Sequence, residues 1–139
     1  MAELGKGATL KDSSDYAIAR IKTIGAFGVT KADIETTTHD VSGNFRSYMA
    51  GLGDGGEIPV TCDLLTSDSS GQIAAIADCL AGTEDTYTIT LPNTDASTFV
   101  FRGYVKSYKI DPRINDTIGL DLVFKTTGST AYPGPVFTV

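Results

Sequence analysis

Few side chains in this sequence are of types that perform chemistry, and their spacing argues against most of it. The single histidine, His39, stands beside Asp40. A zinc site needs three or four protein ligands at recognisable spacing, and Cys62 and Cys79 do not complete such a set. An activated nucleophile needs a base and a third group that orients the base. One histidine without a nucleophile motif does not supply that. The run GLGDGG at 51–56 is glycine-rich, but it carries Asp54, is followed by Glu57, and lacks the G-x-x-x-x-G-K-[ST] spacing of a phosphate loop. Glu84 and Asp85 fall at a predicted turn, where solvated charge is the ordinary state of paired carboxylates. The expectation is a protein that is not an enzyme and holds no metal or cofactor, with His39 in a structural or interface role.

Size and charge narrow the classes further. The 139 residues suit one domain with its own core, spanning 1–139. A formal charge of −6 disfavours binding to a phosphate backbone, which requires clustered Lys and Arg. It fits an ordinary acidic protein, or a surface to which nucleic acid should not adhere, and composition does not separate the two. MAELGKGATLKDSS has no apolar signal core, and no apolar run is long enough to cross a bilayer, so neither a secretory signal nor membrane insertion is expected. Two cysteines do not make a disulfide framework and read as buried free thiols.

The elements that must position these residues are mostly strands. Residues 1–13 read as a loosely held polar arm, and 15–24 as a first strand with imperfect alternation. Ile34, Thr36 and Thr38 alternate as a half-buried strand does, as do Ile58, Val60, Cys62 and Leu64. Ser69 and Gln72 have capping-box spacing. Ile73, Ile76, Ala77 and Leu80 follow at i, i+3, i+4 and i+7, which predicts a helix over 70–81 with that stripe facing a sheet and Gly82 closing it. Tyr87, Ile89 and Leu91 alternate, then Phe99, Phe101, Gly103 and Val105. Tyr108 and Ile110 have the opposite parity, which predicts a bulge at Lys106 or Ser107. A last strand alternates Ile118, Leu120, Leu122 and Phe124, and 128–139 reads as an extended tail. About six strands and one helix make a mainly β fold, a β-sandwich or partly open barrel with the helix on one flank.

The connection at 40–56 does not fit an ordinary hairpin. Loops between paired strands run to about 5 residues, and structureless loops beyond about 15 are usually functional or disordered. This one carries Phe45, Tyr48, Met49 and Leu52 among its glycines. Ordering about 17 backbones costs roughly 1–2 kcal/mol each, whereas burying four apolar side chains returns roughly 1.5–3 kcal/mol each. Such a finger needs backbone partners as well, for example another strand edge. Three readings stay open on composition: a flap over its own core, a contact with another copy, or a ligand-binding loop.

The segment TTTHDVSGNFRSYMAGLGDGGEIPVTCDL at 36–64 resembles the hallmark segment of the major tail tube proteins of lambda-like, non-contractile long-tailed bacteriophages, the siphophage tail tube family. Thr37, Thr38, His39, Asp40, Gly43, Arg46, Tyr48, Gly51, Leu52, Asp54, Gly55, Gly56 and Glu57 carry the likeness, and GKGATL at 5–10 is similar to the family's short arm. No appended immunoglobulin-like domain is expected. The resemblance implies a β-sandwich subunit that closes into hexameric rings. The rings stack into a tube around a tape-measure protein, between tail-tip or initiator and terminator proteins. The tube belongs to the virion tail, is assembled in the host cytoplasm, and conducts DNA without binding it specifically. The 40–56 loop would then be an inter-subunit element with Asp40, Phe45, Arg46, Tyr48, Met49, Leu52, Asp54 and Glu57 at the interface. Glu35, Glu57, Asp63 and Asp121 are candidates for a polar, acidic lumen wall. A type VI secretion-like tube and a monomeric lectin-like binding module are the alternatives.

Overall fold

The computed structural model describes residues 7–37, 46–112, 117–128 and 135–139. The elements run β1 (Thr9–Lys11), β2 (Ile21–Ile24), β3 (Thr30–Glu35), β4 (Tyr48–Asp54), β5 (Glu57–Asp63), α1 (Gln72–Ala81), β6 (Glu84–Thr90), β7 (Thr98–Asp111), β8 (Gly119–Thr127) and β9 (Val136–Thr138). Seven strands form one sheet in the order β1-β6-β7-β8-β5-β2, with β9 beside the start of β7. Every pairing in it is antiparallel.

The sheet curls over its own apolar face. Ile58, Val60 and Cys62 on β5, Tyr87 and Ile89 on β6, Phe99, Phe101 and Val105 on β7, and Leu120, Leu122 and Phe124 on β8 are all buried on one side. Period-two alternation places those residues together, since successive side chains point to opposite faces. Phe27, just after β2 at one end of the strand order, meets Phe99 on β7 with ring centroids 4.7 Å apart. Gly7 and Ala8 beside β1 share a groove with Ile21, Lys22, Thr23 and Ile24 of β2. The two end strands thus approach each other without pairing, and the architecture is the expected mainly β, partly open barrel with one helix.

Several local expectations need correction. Residues 9–11 of the supposed arm are a strand, β1, with Leu10 fully buried. The first strand shrinks to Ile21–Ile24 because Asp15 and Arg20 take left-handed backbones, φ 68° and 54°. The capping box does not form: the Gln72 side chain turns inward instead. Its Oε1 accepts from the Leu65 N–H at 2.8 Å, and its Nε2 donates to the carbonyls of Ala19 at 2.8 Å and Asp63 at 2.7 Å. Asp68 Oδ2 accepts from the N–H groups of Ala19 and Gln72, both at 2.9 Å, and so caps the helix in place of Ser69. With Gln72 inside, the buried stripe of α1 is Gln72, Ala75, Ile76 and Cys79, turned one residue from the predicted one. Leu80 is left 74% exposed. Gly82 ends the helix in the left-handed conformation, φ 70°, as expected of that position.

The predicted bulge is present, since the β7/β8 register shifts between Val105 and Ser107 and returns Tyr108 to the core side. Part of the 128–139 tail forms β9, which pairs Thr98, Phe99 and Val100 of β7 where β8 has ended.

Candidate assembly surface

The finger between the Ile34 and Ile58 strands is largely a hairpin. Among the described residues, β4 pairs with β3 in a separate two-stranded ribbon whose strands join no other strand. This corrects the 40–56 loop: Tyr48–Asp54 already has backbone partners within its own chain. The strand expected from Ile34 onward is Thr30–Glu35, exposed along its whole length rather than half-buried. Connectivity explains the placement. β2 pairs with β5, and these two run on into β3 and β4, so the ribbon continues an edge pair of the barrel. Gly55 and Gly56 make the joint. A side chain at Gly55 would collide with Thr126 and Pro135, and Gly56 has φ +67°. The Gly56 carbonyl accepts both the N–H and the Oγ1–H of Thr126, each at 3.1 Å.

The ribbon buries little of what it carries. Leu52 is 93% exposed, and Tyr48, Met49, Ile34 and Val29 are about half exposed. Ile34 lies opposite Met49 in the ladder. Arg46, expected as an inter-subunit clamp, has its Nε 3.8 Å from Glu35 of the same ribbon. Asp54 reaches back to Lys125 of β8 at 3.7 Å. His39, Asp40 and Phe45 lie outside the described residues. Ile34 and Val29 were not picked out by sequence as surface residues, because alternation alone does not say whether a strand has a core to face.

The candidate lumen residues separate. Glu57, Asp63 and Asp121 share the outer face of the β5/β8 pair, where Glu57 is opposite Lys125, Thr61 opposite Asp121 and Asp63 opposite Gly119. Glu35 is on the ribbon. The outer face is charge-paired: Asp63 meets Lys22 at 3.0 Å and accepts from the Thr117 hydroxyl at 2.8 Å, while Glu57 is ion-paired and hydrogen-bonded to Lys106. That hydrogen bond and the Lys106 charge hold the Glu57 carboxyl below its usual range, with a smaller push from Lys125. Asp121 lies opposite Lys109 in the β7/β8 ladder. Beneath this face, burial first and the Asp121 and Asp63 charges second push the Cys62 thiol up to about 11. Both cysteines are free thiols, Cys62 buried and Cys79 partly so. Among the described residues no three His, Cys, Asp or Glu converge as metal ligands, and no helix is long and apolar enough to cross a membrane.

This arrangement of curled sheet, flank helix and projecting ribbon recurs in solved assemblies. A chain from the C6-symmetric tail of an empty gene transfer agent particle matches with TM-score 0.75 at 15% identity, over 99% of this chain and 100% of that one. A chain of an extracellular contractile injection system, solved at its sheath/tube terminator, gives 0.74 at 13%, over 100% and 98%. The SPP1 tail tube gives 0.64 at 13%, over 94% and 74%. This chain has the tail-tube fold. No protein-family model and no curated protein matches it in sequence, so its likeness to these tube components is one of backbone architecture. The matches cover 94–100% of this chain.

Proposed function

We propose that this protein is a structural, non-enzymatic virion subunit that self-assembles into stacked hexameric rings to form a phage tail tube. The observation that carries the reading is the coincidence of a match over 99% of the chain to a C6-symmetric tail with a ribbon whose apolar side chains find little cover among the described residues. An isologous dimer would need a self-complementary patch, but a projecting ribbon meeting a different surface makes a heterologous contact, which propagates into rings and stacks. Tyr48, Met49 and Leu52, with Ile34 beside them, are the anchors of that contact, and Arg46, Asp40 and Phe45 belong to the same finger. Several weak contacts per subunit act together, so modest pairwise affinity suffices for a stable polymer.

The lumen wall, on this reading, is the outer face of β5, β8 and β7. Its acids Glu57 and Asp63 are already neutralised by lysines, so it attracts neither polyanion nor counterion strongly. Passing DNA then meets a polar surface with little net charge, consistent with transit without adhesion. The tape-measure protein would fill that channel before ejection, and initiator and terminator proteins would close its ends. The site of action would be the virion tail, assembled in the host cytoplasm.

Negative-stain electron microscopy of concentrated protein, alone and with a tail-tip initiator, tests the reading. Six-fold rings or tubes are expected in at least the second sample. Monomers in both would overturn it, and a monomer that binds a glycan saturably would favour the lectin-like module instead.

A further inference from the structure

A second feature of the surface has the chemistry of a receptor. Tyr87 on β6 is 3% exposed, its ring held against Phe101 and Phe124, and its hydroxyl has no partner among the described residues. A buried hydroxyl left unpaired is destabilising unless a ligand satisfies it. It lies at a slot between α1 and the β1–β2 connection, lined also by Asp12, Ser70 and Asp78. Asp12 uses Oδ1 to accept from the N–H groups of Ser14 at 3.0 Å and Tyr16 at 2.9 Å, which leaves Oδ2 for another donor. The carboxylate of Asp78 has no ion pair or hydrogen bond among the described residues. Burial, then the charges of Asp85 and Asp12, raise its pKa, as expected of a carboxylate crowded by its own kind. The enclosed space is about 10 Å3, enough for one group the size of water.

The walls are largely apolar, with Ile18, Ala74 and Ala75 among them, and their charged groups are the carboxylates of Asp12 and Asp78, so the matching ligand is a small cation rich in donors. A lysine ammonium has three donors and the size of a water molecule, whereas a guanidinium is a planar fork too broad for the space. Among the described lysines, Lys31 and Lys109 have no ion pair, and of these two Lys31 is the one on the ribbon. Lys11, Lys22, Lys106 and Lys125 are ion-paired. Lys109 stands opposite Asp121 across the ladder. Lys31 projects from the ribbon, opposite Gly53, with no ion-pair partner among the described residues.

We infer that the Asp12–Asp78–Tyr87 slot receives the ammonium group of Lys31 from a neighbouring copy. This rests on the assembly reading above and assigns the ribbon one polar contact point on the next subunit. The contact is heterologous, because donor and receptor are different surfaces of the same chain.

The test uses the full chain with its initiator. Lys31→Ala and Asp78→Asn should each raise the protein concentration needed for tube formation at least about tenfold, with monomer melting little changed. Lys31→Arg should be equally defective, an outcome that general charge attraction between surfaces would not give. In a Cys79→Ser background, the pair Lys31→Cys and Asp78→Cys should form intermolecular disulfides only in assembled material. Wild-type tubes that persist unchanged in all these variants, with no cross-link, would overturn the inference while leaving the tail-tube reading intact. Absence of wild-type tubes would instead bring down the assembly reading and this contact with it. Should methylammonium raise the monomer's Tm through Asp78 while Lys31→Ala assembles normally, the slot would be a free-cation site and the contact would be refuted.

Discussion

The barrel and the ribbon are built from the same kinds of residue and treat them in opposite ways. On β5 and β8, Ile58, Val60 and Cys62, and Leu120, Leu122 and Phe124, alternate along the strands and all are buried. On β3 and β4, alternation is no less available, yet nothing apolar is buried: Leu52 is nearly bare, and Ile34 and Met49 cover each other only in part. A two-stranded hairpin alone is marginal in water. The ribbon keeps its form because it continues the β2/β5 pair and because the Gly56–Thr126 bonds fix its root. The difference shows that pairing and burial are separable. Backbone hydrogen bonds shape the ribbon within one chain, while its side chains remain available for another. Exposed apolar side chains on a projecting ribbon suit an interaction site.

Substitutions in the two regions should therefore fail in different assays. Phe101→Ala, in the aromatic cluster with Tyr87, Phe99 and Phe124, should lower unfolding free energy by about 3–5 kcal/mol, measured by urea titration, and reduce assembly only through lost folded protein. Leu52→Asp should change monomer stability by no more than about 0.5 kcal/mol yet abolish tubes seen by electron microscopy. If Leu52→Asp instead melts the monomer, the ribbon is part of the core and the contrast collapses.

How much of this was legible in the sequence depends on whether a signal was local. The core strands were, because alternation at Leu120, Leu122 and Phe124 or at Ile58, Val60 and Cys62 is a property of the strand itself. So was the bulge at Lys106, since the parity change is visible in the letters. The β4 strand was not. MAGLGD is depleted in strand formers and rich in glycine, and its strand character comes from pairing with β3, a partner that the letters do not announce. The helix stripe was misplaced by one residue for a similar reason. Gln72 is polar by type but is satisfied by Leu65, Ala19 and Asp63, two segments that meet only in the fold. The Asp12, Asp78 and Tyr87 slot draws on three separated stretches and had no sequence signature at all.

That buried glutamine offers an intermediate test. Gln72→Leu keeps volume but strands the Leu65 N–H and the Ala19 and Asp63 carbonyls, at about 1–3 kcal/mol for a buried group left unsatisfied. Because the Leu65 N–H donates to Gln72, hydrogen exchange at Leu65 should accelerate while the β7/β8 amides stay protected. Uniform acceleration across the sheet would mean the helix and barrel unfold as one unit.

The smallest expected effect concerns Asp78 on α1, whose carboxylate has no ion-pair partner among the described residues. Burial, Asp85 and Asp12 raise its folded-state pKa above the ordinary 3.8. The folded protein therefore holds this proton more tightly than the unfolded chain does. The contribution is most favourable below the ordinary value and is lost as pH rises through the raised one. Asp78→Asn should mimic the protonated form. Its stability should match wild type near pH 3 and exceed it at pH 7, within the roughly 0.5 kcal/mol typical of partly exposed positions. The same substitution should weaken assembly, so the monomer would gain stability as the polymer loses it. A variant that stabilises both, or neither, would mean the carboxylate is surface charge without a receptor's role, and the opposition between ribbon and barrel would narrow to the apolar contacts alone.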